Sequence, residues 1–344
     1  MDQVDRNALE AILRSSPDMS KLSVEEMRAA YDAGGVITLP GDDVAHHRED
    51  AAGVPVEIGL SAGADPSRSV LYLHGGGYII GSTTSHRGLV ARLGSAACSR
   101  TVSVEYRLAP EHPFPAAVDD ALAAYRWLLD AGQAASSIVL AGDSAGGGLA
   151  VATLVRARDE GLPMPAAAVV FSPLVDLVGE GESMVAKAAQ DPIVDAAGHA
   201  RFCAMYLDGA DPRSAYASPI HADLGGLPPL LIHVGTAEAL LDDSMRLARR
   251  AALDNVAVEF KAWPRLPHVW QFYAGFSARV SSRSTKRGAS FARISPRKAE
   301  PAAWRKRDLA PAPYLSRPDP KNPLGSEAAV HRQGGPGHIS RHVR

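Results

Sequence analysis

Seven short runs of this chain are apolar or β-branched almost end to end: VPVEIGL (54–60), SVLYL (69–73), TVSVE (101–105), SIVLA (137–141), AAVVF (167–171), PLLIHV (229–234) and VAVEFKA (256–262). A strand with no polar face has to be covered on both sides, as happens inside a parallel sheet. Between these runs lie helical stretches such as AVDDALAAYRWLLDAG and GGGLAVATLVRARDEG. The alternation predicts an α/β fold, with a mostly parallel central sheet and helices on both faces. Residues 1–50 read as helical, with a Ser23-x-x-Glu26 capping pattern. Residues 176–215 break the rhythm and read as an insertion above the sheet. No internal repeat is visible.

The chain has 344 residues, enough for one large domain or two small ones. Its net charge of −2 hides an uneven spread. Residues 277–344 carry 15 Lys/Arg against 4 Asp/Glu, so the acidic excess lies in the rest of the chain and the tail is a separate object. The two cysteines, Cys98 and Cys203, have neither metal nor disulfide-framework spacing. The N-terminus is charged early and lacks an apolar signal core. No apolar run approaches the length of a membrane span. The expected location is the cytoplasm, with reduced thiols.

Chemistry is written at two strand ends. Gly142-Asp143-Ser144-Ala145-Gly146 follows SIVLA and opens a helical stretch. A Ser on a sharp strand-to-helix turn needs small neighbours, and the helix N-terminus favours developing negative charge. A plain glycine-rich turn is the bland alternative, and the flanking strand and helix argue against it. His74-Gly75-Gly76-Gly77 sits just after SVLYL. Glycines let backbone N–H groups approach a substrate oxygen, so Gly75, Gly76 and Ala145 are the expected oxyanion donors. A phosphate-binding loop would need a Gly-Lys-Ser/Thr that is absent. His74 is expected to shape the loop rather than move protons.

A serine hydroxyl is a poor nucleophile without a base and a group to orient that base. With a nucleophile turn of this kind the chain order is Ser, acid, His. Glu238 lies just past PLLIHV, where a carboxylate can point into the site. Asp242, about a turn into the following helix, is the alternative acid, in which case Glu238 would cap that helix. His268 follows VAVEFKA on the next strand-end loop, in the right order for the base. The remaining histidines, including His46 and His47, show no ligand spacing, so no metal and no cofactor are expected.

Together these residues resemble the hormone-sensitive-lipase-like esterases of bacteria, the group with a Gly-Asp-Ser-Ala-Gly motif. Further marks are Tyr106-Arg-Leu-Ala-Pro-Glu111, the following His112-Pro-Phe-Pro, Ser172-Pro173 and Asp191-Pro192. The resemblance covers about residues 1–276. It implies an α/β-hydrolase fold with about eight strands and a helical cap. The cap would be residues 1–50 plus the 176–215 insertion, and the catalytic domain residues 51–276. It implies hydrolysis of short-chain esters and sometimes lactones or N-acetyl groups, and often a homodimer. Glu238 departs from the Asp that many members carry. A non-catalytic binder of the same fold is the competing class, and the presence of His268 argues against it.

Members of this group usually close the domain with an amphipathic helix after the His. Here SARVSSRSTKRGASFAR stands in that place. Residues 277–344, with 8 prolines and no sustained period, read as a disordered basic tail. Arg/Ser-rich text is what a GC-rich gene yields out of frame, so a frameshift is a reading the gene sequence can test. An inactive product is its worst consequence, because the lost helix would uncover apolar surface. The tail lacks a recognition module or repeated aromatic platforms, so nucleic acid is not an expected partner.

Overall fold

The computed structural model describes residues 9–11, 13–15, 18–35 and 44–275. The tail expected to be disordered, and the place where a terminal helix is expected to be lost, lie outside the described residues.

Among the described residues, eight strands form one sheet: β1 (Val44–Ala51), β2 (Val54–Ser61), β3 (Asp65–Leu73), β4 (Ser99–Val104), β5 (Ile138–Asp143), β6 (Ala167–Phe171), β7 (Leu230–Gly235) and β8 (Val258–Trp263). Their order is β1-β2-β4-β3-β5-β6-β7-β8. β2 runs antiparallel to β1 and β4, and every other pair is parallel. The seven apolar runs all fall on strands. The first strand corrects the reading of residues 1–50 as wholly helical: residues 44–50 belong to β1. Its sequence, VAHHREDA, is largely exposed at the sheet edge, so it carries no apolar signal.

Among the described residues the strands are accompanied by helices α1 (Val24–Gly35), α2 (Thr83–Ala97), α3 (Ala116–Asp130), α4 (Ser144–Asp159), α5 (Ser183–Ala186), α6 (Ala196–Leu207) and α7 (Leu241–Leu253). The capping pattern before α1 forms as read. Glu26 N–H donates to Ser23 Oγ at 3.2 Å, and Ser23 N–H to Glu26 Oε2 at 2.8 Å. Side chains alternate along β3. Leu71 and Leu73 enter the larger apolar cluster with α3 and α4, while Val70 and Tyr72 enter a second cluster with Leu89, Val90 and Leu93 of α2. Both faces of the sheet are therefore covered, as the apolar runs require.

The connections also decide where a site can form. From β3 the chain steps outward to β4, then crosses back to β5 on the other side of β3. This reversal opens a crevice at the carboxyl ends of β3 and β5. The His74 glycine loop leaves β3 there, and Ser144 leaves β5. Among the described residues, no helix is long and apolar enough to cross a membrane.

Candidate active site

Ser144 sits between β5 and α4 with φ of 51°, a left-handed conformation that costs energy in a residue with a Cβ. The turn closes because its neighbours lack side chains. A Cβ on Gly146 would collide with the carbonyl oxygens of Leu73 and His74. α4 can therefore start directly against the end of β3, with the Ser144 hydroxyl at its N-terminus.

His268 follows β8, and its Nε2 lies 2.9 Å from Ser144 Oγ. Its Nδ1 lies 2.7 Å from Glu238 Oε2. Glu238 stands in the turn between β7 and α7 and is fully buried. Its Oε1 accepts the Ser172 hydroxyl at 2.9 Å and the N–H of Gly235. Ser172 Oγ in turn accepts the N–H of Val269 at 3.1 Å. One hydroxyl at the end of β6 thus ties the loop carrying Glu238 to the loop carrying His268. Ser172 and Val269 both have positive φ, 47° and 44°, as Ser144 does. For a β-branched valine that is a strained backbone, held by the buried side chains of Val269, Trp270 and Phe272.

Burial raises the Glu238 carboxyl above the ordinary carboxylate range, against three donors that converge on it: His268 Nδ1–H, Gly235 N–H and Ser172 O–H. Each needs an acceptor, which favours the carboxylate. Burial also pulls the His268 imidazole down. The hydrogen bond and charge of Glu238 outweigh it, and His268 ends above the ordinary imidazole range. Asp242, the alternative acid, instead accepts Ser183 N–H at 2.8 Å. Asp243 accepts the N–H groups of Val175 and Asp176 at 2.9 and 3.0 Å.

The N–H groups of the glycine loop differ in their partners. The N–H of Gly75 donates to Asp143 Oδ1 at 3.0 Å, so it is already committed. Among the described residues, no acceptor is bonded to the N–H groups of Gly76 or Gly77. Gly76 has φ of +118°, reachable only without a Cβ. The N–H of Ala145 belongs to the first turn of α4, where no intrahelical acceptor exists. Asp143 also accepts the Tyr72 hydroxyl at 2.6 Å, and its Oδ2 lies 3.3 Å from His86 Nε2. Burial alone would raise its carboxyl; His86 and these hydrogen bonds outweigh it and hold it below the ordinary carboxylate range. His74 shapes the loop. Its Nδ1 lies 2.8 Å from Gly75 O, and its ring stacks on Tyr106 at 4.2 Å. Burial, then the nearby His86, push its imidazole down to about 4. The Tyr106 hydroxyl donates to His74 O at 2.7 Å, and Ala109 N–H to Tyr78 O at 3.0 Å. The Tyr106-Arg-Leu-Ala stretch is thus the underside of the glycine loop.

Sequence reasoning noted Ser172 without giving it a role, and it passed over His86 and Tyr72. A small polar residue directly after the apolar run AAVVF was the available signal for Ser172. Nothing local marks His86, which reaches Asp143 from α2. Among the described residues, no cluster of three or more His, Cys, Asp or Glu side chains could hold a metal ion.

A strained serine turn at the end of β5, a glycine loop beside it and a buried His–carboxylate pair behind it are the arrangement of a serine hydrolase of the α/β class. The chain belongs to the α/β-hydrolase fold family, whose model matches residues 70–272. It is 46% identical over 254 residues to an acetyl-hydrolase of Streptomyces hygroscopicus, covering 73% of this chain and 83% of that one. It is 34% identical over 220 residues to an esterase of Acinetobacter venetianus, covering 64% and 72%. The crystal structure of an esterase from the bacterial hormone-sensitive lipase family superposes with a TM-score of 0.83 at 39% identity, over 86% of this chain and all of that one. Within its fold family the chain is therefore one of the hormone-sensitive-lipase-like serine ester hydrolases.

Proposed function

We propose that this protein is a carboxylesterase for short acyl esters, with Ser144 as nucleophile, His268 as base and Glu238 as the orienting acid. The reading rests on one observation, the unbroken hydrogen-bond chain from Ser144 Oγ to His268 to Glu238 at 2.9 and 2.7 Å. His268 Nε2 takes the Ser144 proton as Oγ attacks the ester carbonyl. The carbonyl oxygen becomes an oxyanion, received by the N–H groups of Gly76, Gly77 and Ala145. His268 then protonates the departing alcohol. Water, deprotonated by the same imidazole, attacks the acyl-Ser144 and frees the acid. Glu238 holds the imidazole in the tautomer that presents Nε2 to Ser144 and stabilises the imidazolium.

The acetyl-hydrolase name of the Streptomyces relative favours a small acyl group. The N-terminal segment and residues 176–215 form a cap over the site in this reading. Arg201 of α6 reaches the carbonyls of Met19, Ser20 and Leu22 at 3.3–3.4 Å, and Arg14 reaches Ala189 O at 3.2 Å. Hydrolysis of p-nitrophenyl acetate, butyrate and octanoate by the purified protein and by Ser144→Ala tests the proposal. Rates that fall with acyl length and vanish in the variant are expected. A folded wild type without Ser144-dependent turnover would overturn it. A lactone and an N-acetyl substrate in the same panel separate ester from lactone or amide specificity.

A further inference from the structure

Asp191 and Pro192 stand out in the sequence, but no step above uses them. Asp191 lies in the 176–215 insertion and is buried. Its Oδ1 accepts the N–H groups of Ile193 and Val194 at 2.9 and 3.1 Å, fixing its own loop. Its Oδ2 points away from that loop and accepts the N–H of Ala239 at 2.7 Å. Ala239 is the residue directly after Glu238. The Ala239 carbonyl is also held from the insertion, accepting the Ser183 hydroxyl at 2.6 Å. Both polar backbone groups of the residue behind Glu238 are thus fixed by one segment, and the Asp191 carboxyl supplies one of the partners.

We propose that Asp191 is a positioning residue for the Glu238–His268 pair, anchoring the loop of the acid to the insertion and setting a second negative charge beside the imidazole. This rests on the roles assigned to Ser144, His268 and Glu238 above. Three carboxylates favour the charged form of His268: Glu238 by a direct hydrogen bond from the β7 turn, then, through charge alone, Asp191 from the insertion and Asp143 from the end of β5. Tyr273, on the short Trp270–Gly275 helix, lies near the same two aspartates; burial first, then their charges, push its hydroxyl well up, so it adds no charge. A neutral side chain could accept the Ala239 N–H equally well. What a carboxylate adds is charge, and charge beside His268 stabilises the imidazolium that forms during acyl transfer.

The test is the pH profile of p-nitrophenyl acetate hydrolysis for wild type, Ser144→Ala, Asp191→Asn, Asp191→Glu and Asp191→Ala. Asp191→Asn keeps an acceptor and removes the charge. Its acid limb in kcat/KM is expected to move to lower pH by roughly half a unit, with kcat reduced and KM near the wild-type value. Asp191→Glu is expected to return the limb toward its original position. Asp191→Ala, lacking both anchor and charge, is expected to lose on the order of ten- to a hundredfold in kcat. Asp191→Ser serves the same comparison should the Asn variant not fold. An Asn or Ser variant with the wild-type limb and wild-type kcat would overturn the inference while leaving the esterase reading intact. A wild type without Ser144-dependent hydrolysis would instead remove the esterase reading, and this inference with it.

Discussion

At the scale of single residues, the decisive quantity is the proton on His268. The proposed base works only as a neutral imidazole, and Glu238 lifts its pKa above the ordinary value of 6.5. Activity in kcat/KM should therefore rise with pH through a limb that lies above 6.5, as His268 loses its proton. Glu238→Gln removes the anion and leaves burial to dominate, so the limb should move to lower pH. The same variant should lose about 10³- to 10⁴-fold in kcat, because the imidazole is no longer held in the working tautomer. A pH–rate profile of the two proteins reads both effects, and an unmoved limb would count against Glu238 as the partner. Ser144→Ala should remove about 10⁶-fold in kcat. Ser172→Ala leaves one oxygen of Glu238 and the N–H of Val269 each short of a partner. It should lower kcat more than it raises KM, and steady-state kinetics would show the split.

At the scale of elements, the site depends on how closely α4 approaches β3. Gly146 is the contact, with the carbonyls of Leu73 and His74 where its Cβ would be. Gly146→Ala should force the two elements apart, displacing Ser144 from His268 and the Ala145 N–H from its place beside the glycine loop. The expected result is at least a hundredfold loss of activity and a destabilisation of roughly 1–3 kcal/mol, measurable by hydrolysis rate and denaturant unfolding. The glycine loop and the elbow are also linked through Asp143. That carboxylate belongs to β5 and fastens the N–H of Gly75, whereas no acceptor among the described residues takes the N–H groups of the next two glycines. The spacing of HGGG in the sequence could not separate these glycines, because which N–H is taken up is set by a partner on another strand.

At the scale of the whole molecule, one buried group should leave a signature in stability. Burial, reinforced by the neighbouring Asp176 charge, pushes Asp243 up to about 7, against an ordinary value of 3.8. Between those values the folded state holds a proton that the unfolded chain has released. The contribution of Asp243 to stability is therefore greatest below about pH 4 and is lost as pH rises toward 7. Asp243→Asn can still accept the N–H groups of Val175 and Asp176 and carries no charge. It should be about as stable as wild type near pH 4 and more stable by a few kcal/mol at pH 8. Melting temperatures of both proteins across that range would decide it. A constant difference between them would mean that Asp243 does not titrate in this window.

The sequence by itself determined a great deal here. Strands apolar on both faces, separated by helical stretches, admit little other than a covered parallel sheet. A small-residue turn around Ser144, and a His after the last apolar run, follow from local chemistry that leaves its mark in residue type. What the tertiary structure alone decided were the pairings between distant elements. β1 was illegible because an exposed edge strand needs no apolar residues. The choice of Glu238 over Asp242 depended on which carboxylate the β7 turn aims at His268 and which is drawn to Ser183. The commitment of Gly75 to Asp143, and the reach of Ser172 across two loops, are hydrogen bonds between residues 68 and 66 positions apart in the chain. A hydrogen bond is satisfied by any partner of the right polarity, so no residue type announces it in advance. Only the packed sheet, by fixing which strand ends are neighbours, chooses among the partners.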